Sequence, residues 1–219
     1  MAQHRGRPGA PVIEIAPVAA PTARYAVQNW HYSHTLPAGP SMRFGIWESG
    51  RFLGVVIFGR GAAPNLGRAQ GFALFEVCEL TRIALRDHVA PVSQIVPLTV
   101  AALRSASPGT RVVFSFADPY RGHRGTIYQA MNWLYLGTSV PVRAFRDRAT
   151  GELHHNRVVG AGYVRQFDKW VPGFDPARCE LIAMPGKHRY ALPLDRAARR
   201  QLARLQVPYP AAEVSTVTR

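Results

Sequence analysis

The chain has 219 residues, a formal net charge of +14 and a hydrophobic fraction of 47%. That fraction supplies a buried core and excludes global disorder, while two cysteines exclude a disulfide framework or a cysteine zinc set. No apolar stretch nears the roughly 20 residues of a membrane span, so a cytoplasmic protein that meets a polyanion, nucleic acid first, is expected.

In chain order, residues 1–21 read as a solvated arm rich in Pro, Ala, Gly and Arg, with a short strand at Val12–Ile15. Pro11, Glu14 and Pro17 interrupt any signal-peptide core. Thr22 is a candidate cap for a helix whose apolar face carries Tyr25, Ala26 and Trp30. A polar loop, His31 to Pro40, ends in turn formers. Met42–Trp47 and Phe52–Phe58 flank a Ser49-Gly50 turn and predict a β-hairpin. Phe72–Leu85 predicts a long strand, and Gln94–Ser105 a helix that tolerates Pro97 only in its first turn.

The stretch Arg111–Gly137 carries the most information. Val112–Phe116 suits a strand buried on both faces. Pro119 breaks it, a Gly/Arg/His loop follows, and a helical pattern runs from Thr126 to about Asn132. Chemistry in such sheets sits beyond the carboxyl end of the strand, where Asp118, Tyr120, His123 and Tyr128 fall. Downstream, Arg143–Arg148 and Leu153–Arg157 predict a second hairpin, basic on its exposed face. Val164–Pro176 reads as irregular. Cys179–Ala183 and Arg189–Leu192 read as strands around a Pro185-Gly186 turn, and Asp195 as the cap of an Arg-rich helix. The expected organisation is an arm (1–21), one catalytic domain (22–195) with a basic hairpin insertion at about 140–160, and a C-terminal helix and tail (196–219). The fold class is α/β (α+β), a mixed, mostly antiparallel twisted sheet flanked by helices.

That element order resembles the GNAT-type N-acyltransferases. Tyr128-Gln129-Ala130-Met131-Asn132-Trp133 stands where those enzymes read Tyr-x-x-x-Gly-Phe, with the tyrosine as general acid. Their Arg/Gln-x-x-Gly-x-Gly/Ala turn is replaced by Arg86-Asp87-His88-Val89-Ala90-Pro91. No glycine there lets backbone amides approach a pyrophosphate, which argues against an acyl-CoA donor. A narrower resemblance is to the phage Mom family of DNA modification proteins. It is carried in order by Trp30-His31-Tyr32-Ser33, Phe44–Glu48, Gly54–Gly61, Cys78-Glu79-Leu80-Thr81-Arg82, Ser115–Pro119, Gly122-His123, Ile127–Ala130 and Pro185–Tyr190. It implies transfer of a carbamoylmethyl group from a small-molecule donor to the exocyclic amine of adenine, which protects phage DNA from host restriction.

That amine is a poor nucleophile, because its lone pair is delocalised into the ring. Catalysis must remove a proton and hold a near-attack geometry. The catalytic candidates are Asp118 as base, Tyr128 as proton donor or orienting group, and His31. The candidates for holding substrate or donor are Arg82, Glu79, Ser115, Tyr120 and His123. A strand bulge would bring Arg82 and Glu79 to one face. His31, Asp118 and His123 are the candidate ligands if iron or zinc is used. The target base must be flipped out of double-stranded DNA, with Tyr32 and Trp133 to stack on bases at ~1–3 kcal/mol each. Arg143, Arg146, Arg148, Arg157, Lys187, His188 and Arg189 are the candidates for tracking phosphates. Each has an ordinary structural alternative: Asp118 a turn cap, Tyr128 a core tyrosine, Arg82 a salt bridge to Glu79 or Glu76. The rival functions are an acyl-CoA-dependent N-acetyltransferase and a non-catalytic nucleic-acid binder.

Overall fold

A computed structural model describes residues 2–4, 11–61, 65–155, 164–166, 169–171 and 176–211. They fall into two compact units: residues 1–116, 125–137 and 189–219, and residues 117–124 with 138–188.

The first unit holds β1 (Ala2–His4), β2 (Ile13–Pro17), α1 (Ala20–Trp30), β3 (Ser41–Glu48), β4 (Arg51–Gly59), β5 (Val77–Leu85), α2 (Val92–Ala106), β6 (Val112–Ala117), α3 (Thr126–Ala130) and β7 (Leu134–Thr138). The second adds β8 (Val142–Asp147), β9 (Leu153–His155), β10 (Val164–Gln166), β11 (Lys169–Val171) and β12 (Cys179–Met184). The chain then returns through β13 (His188–Pro193) to α4 (Arg196–Ala203). The main sheet has the order β1-β2-β3-β4-β5-β6-β13-β7. Pairing from β1 through β5 is antiparallel, and β5 with β6 is parallel.

The hairpin β3–β4 turns at Ser49-Gly50, both with positive φ. Leu53 to Gly59 is buried without a break, as a strand covered on both faces requires. Ala23, Ala26 and Val27 of α1 pack on Val55, Ile57 and Ala84. A second cluster joins Val77, Val112, Phe114, Leu134, Leu136 and Ala191 to Ala198 and Leu202 of α4. Burying each such aliphatic or aromatic side chain contributes roughly 1.5–3 kcal/mol. Arg111 fastens the start of β6: its guanidinium meets Asp195 at 2.8 Å and Glu76 at 2.9 Å. Those hydrogen bonds hold the Glu76 carboxyl below its usual range and bring that of Asp195 down to about 2.

Several expectations are corrected. α1 starts at Ala20, with Pro21 in its first turn and no side-chain cap, so Thr22 is not the cap. β5 begins at Val77, after a 3₁₀ turn at Leu74–Glu76. α2 begins at Val92, which makes Pro97 its sixth residue, beyond the first turn and on the exposed face. The strands around Pro185-Gly186 do not pair with each other. β12 joins β8, and β13 inserts between β6 and β7. Asp195 does cap α4, accepting from the Ala198 N–H at 2.7 Å.

In the second unit β8 is the middle strand of a sheet ordered β12-β8-β9, and β10 pairs with β11. That last pair lies in a stretch with an irregular sequence pattern. The β8–β9 turn is held by Asp147, whose Oδ1 accepts from the Ala149 and Thr150 amides at 2.8 Å each.

Candidate functional site

β5 carries the bulge that would bring Glu79 and Arg82 to one face. Phe58 stands opposite Leu80 and Ile57 opposite Arg82, so Thr81 is the extra residue. Its hydroxyl donates to the Ile57 carbonyl at 3.0 Å. Glu79 pairs with Gly59, two residues from Ile57. Paired residues share a face, so the bulge puts Glu79 and Arg82 on the same side of the sheet. Gly61 (φ +72°) packs against the Glu79 carboxylate, where any Cβ would collide with it.

Arg82 does not form the salt bridge to Glu76 considered from sequence, since Glu76 is held by Arg111. Its Nε donates to the Thr35 carbonyl at 3.1 Å, and one terminal nitrogen to the Thr81 carbonyl at 2.7 Å. The guanidinium thereby ties the loop after α1 to the bulge. Burial lowers its pKa, while Tyr32 and Glu79 push the other way.

In that loop the His31 and Tyr32 rings stack at 4.3 Å. The Ser33 amide donates to His31 Nδ1 at 3.1 Å. A backbone N–H can only donate, so Nδ1 carries the lone pair and the neutral ring has its proton on Nε2. Through Nε2, therefore, His31 offers a donor rather than a base. Tyr32 is 46% exposed, open enough to meet a base.

Tyr128 is held by α3, whose cap Gly125 (φ +76°) packs directly on the Tyr190 ring. The Tyr128 ring lies 5.1 Å from those of Trp133 and Tyr190. Its oxygen is 2.7 Å from Ser115 Oγ, which is 2.9 Å from the Leu80 carbonyl. The ladder between β5 and β6 runs over Val77–Glu79 and Val112–Phe114. Beyond it the serine hydroxyl, rather than a backbone amide, meets the carbonyl. Ser115 has one proton and a carbonyl can only accept, so the chain that satisfies every group runs from phenol to serine to carbonyl. Burial pushes the Tyr128 phenol up to about 12, with smaller contributions in that direction from Tyr32 and Glu79. Tyr128 is thus the core tyrosine considered as its structural alternative, with its hydroxyl hydrogen-bonded to Ser115.

In the second unit Asp118 caps the 3₁₀ turn Pro119–Arg121, its Oδ1 accepting from the Tyr120 N–H at 3.1 Å. Its Oδ2 lies 3.6 Å from Lys187 Nζ. Lys187 is set by Ser139: its N–H donates to Ser139 Oγ at 2.9 Å and its carbonyl accepts from the Ser139 N–H at 2.8 Å. Tyr120 and His123 are exposed on the same loop. His188 has its pKa lowered by burial and by the charge of Arg124.

Other candidates are relocated. Trp133 is 1% exposed, so its ring has no face for a base. Arg189 belongs to the first unit and donates to the Leu136 carbonyl at 2.8 Å, which turns this guanidinium to structure. Strand alternation sets Arg143 and Arg146 on opposite faces of β8, so the hairpin is not basic on one face only. Arg146 lies 3.8 Å from Glu180, and Arg148 donates to the Ala177 carbonyl. Arg157 lies outside the described residues. Among the described residues no three His, Cys, Asp or Glu side chains cluster with the geometry to hold a metal, and no helix is long and apolar enough to cross a membrane. Glu48 was missed from sequence. It is 9% exposed, and its carboxylate accepts from the Val89 and Ala90 amides, partners that are backbone groups 41 and 42 residues away.

The model of the Mom protein family matches residues 12–211. The chain belongs to the Mom family. A curated relative, "Methylcarbamoylase mom" of Escherichia phage Mu, is 26% identical over 162 residues. The alignment covers 70% of this chain and 64% of the Mu protein, so the chain spans somewhat under two thirds of that relative's length. Solved structures that superpose on it include the N-acyl amino acid synthase FeeM from uncultured soil microbes, at 14% identity and a TM-score of 0.45 over 91% of this chain and 99% of that one. A probable GNAT-family acetyltransferase from Chromobacterium violaceum superposes at 10% identity and a TM-score of 0.44, over 88% of this chain and 86% of that one.

Proposed function

We propose that this Mom-family chain modifies adenine in double-stranded DNA, transferring a carbamoylmethyl group to the exocyclic amine. The observation that carries the reading is the family match over residues 12–211. The Mu relative's name, a methylcarbamoylase, and the charge of +14 support it. The amine nitrogen forms a bond to the donor's methylene carbon, the bond from that carbon to its leaving group breaks, and the leaving group keeps the electron pair. The amine proton passes to a base, for which Asp118 is the candidate. Tyr128 takes the role of orienting group. A phenol whose proton points at Ser115 presents a lone pair, and it meets an N–H of the donor's carboxamide better than it protonates a leaving group. Tyr32 is the candidate for stacking on the flipped base. Lys187, Arg143 and Arg146 are the candidates for phosphates, and Arg82 and Glu79 for the donor.

The test is mass spectrometry of nucleosides from the DNA of cells expressing the chain, with any phage helper supplied. An adenosine heavier by one carbamoylmethyl group is expected. An unaltered adenine pool in cells that hold the folded protein would sink the reading. DNA affinity should also fall by orders of magnitude between about 50 and 200 mM salt, as several phosphate contacts require.

A further inference from the structure

The loop that leads from β5 into α2 contains the Glu48 interaction. Three features there act together. First, α2 is a 15-residue helix, and the N-terminus of such a helix, with the amides just before it, attracts anions and above all phosphates. Second, Val89 and Ala90 supply those amides, and the next residue, Pro91, has no N–H to add. Third, both amides are already engaged. Glu48, from the end of β3, accepts from Ala90 N at 2.7 Å and from Val89 N at 3.1 and 3.2 Å through its two oxygens.

We propose that Glu48 is a specificity-determining residue: its carboxylate fills the anion position before α2 and closes it to diphosphates. The group donor is then one that does not need a diphosphate held at that place, which excludes coenzyme A thioesters bound in that manner. A phosphate arriving there would have to displace a carboxylate that already holds two amides, or lie beside a second negative charge that repels it. The inference concerns the donor and stands independently of the identity of the acceptor.

Titration calorimetry of the full chain with coenzyme A, and separately with inorganic pyrophosphate, tests it. The wild-type protein should show no saturable binding of either up to about millimolar concentration, whereas Glu48→Ala should gain affinity at least about tenfold. Micromolar binding of coenzyme A by the wild type overturns the proposal. So does a folded Glu48→Ala protein that still binds neither probe, because Glu48 would then not be what closes the position. Should Glu48→Ala not fold, Glu48→Gln decides. It keeps the size and one acceptor but drops the charge, and an unchanged pyrophosphate affinity in that variant overturns the proposal. Amide resonances of Val89 and Ala90 should shift in either variant. No DNA is involved in these measurements, so they succeed or fail separately from the adenine reading.

Discussion

The two units present their polar candidates in opposite ways. In the first, Tyr128 and Ser115 are buried, and one chain of hydrogen bonds ends on the Leu80 carbonyl. In the second, Asp118 caps a surface turn beside a half-exposed lysine. A buried hydroxyl chain is fixed by the cost of leaving any member unsatisfied. An ion pair at 3.6 Å whose lysine is half-exposed is weak and can open to take a new partner. The first arrangement suits orientation, the second the exchange of a proton or a phosphate contact.

This contrast can be broken experimentally. The largest effect is expected for Asp118→Asn. Adenine modification should fall by about 10²-fold or more, the usual loss with a general base, while the melting temperature changes little, because asparagine also caps turns. Retained modification would reduce Asp118 to a cap. Next come the two hydroxyls. Ser115→Ala strands the Tyr128 phenol in a buried site and should destabilise by ~1–3 kcal/mol in denaturant unfolding. Tyr128→Phe leaves Ser115 bonded to Leu80 and should cost less. The reverse order would contradict the direction assigned to the chain.

The alkaline limb gives a third check. Burial raises the Tyr128 phenol from 10.0 to about 12, so the folded state keeps a proton that the unfolded chain loses. That contribution to stability is fully present below about pH 10 and is lost as pH rises through about 12. Cys78 behaves likewise, raised from 9.0 to about 12 by burial, so iodoacetamide at pH 9 should leave it unlabelled in the native protein and label it in urea. The smallest effect belongs to Lys187→Met, which should change stability by less than ~1 kcal/mol, and by less still at high salt.

Much of this was legible from local pattern. The β3–β4 hairpin was announced by Ser49-Gly50, β6 by five apolar or small residues in a row, and the α4 cap by Asp195, whereas the spacing of Glu79 and Arg82 alone places them on opposite faces, and a bulge there was only a possibility. What failed was long-range. Nothing local tells Cys179–Met184 to pair with β8 rather than with the strand that begins four residues further on. Trp133 sits next to a loop in sequence, yet in space it is 1% exposed, with the Tyr128 ring 5.1 Å away. Arg189 looks like one more cation of a basic stretch until the Leu136 carbonyl is placed beside it. Glu48 is a hairpin residue whose partners are amides, and amides leave no mark in a sequence.

The insertion of β13 between β6 and β7 sets the timing of folding. When β7 leaves the ribosome, the slot beside β6 is still empty, and it stays so until residues 188–193 have been made. Until then two strand edges offer unpaired N–H and C=O groups to any neighbour. Arg111 likewise waits for Asp195, 84 residues downstream. The sheet therefore closes only after residues 188–193 have been made, and a chain cut before Asp195 should aggregate rather than yield a smaller working protein.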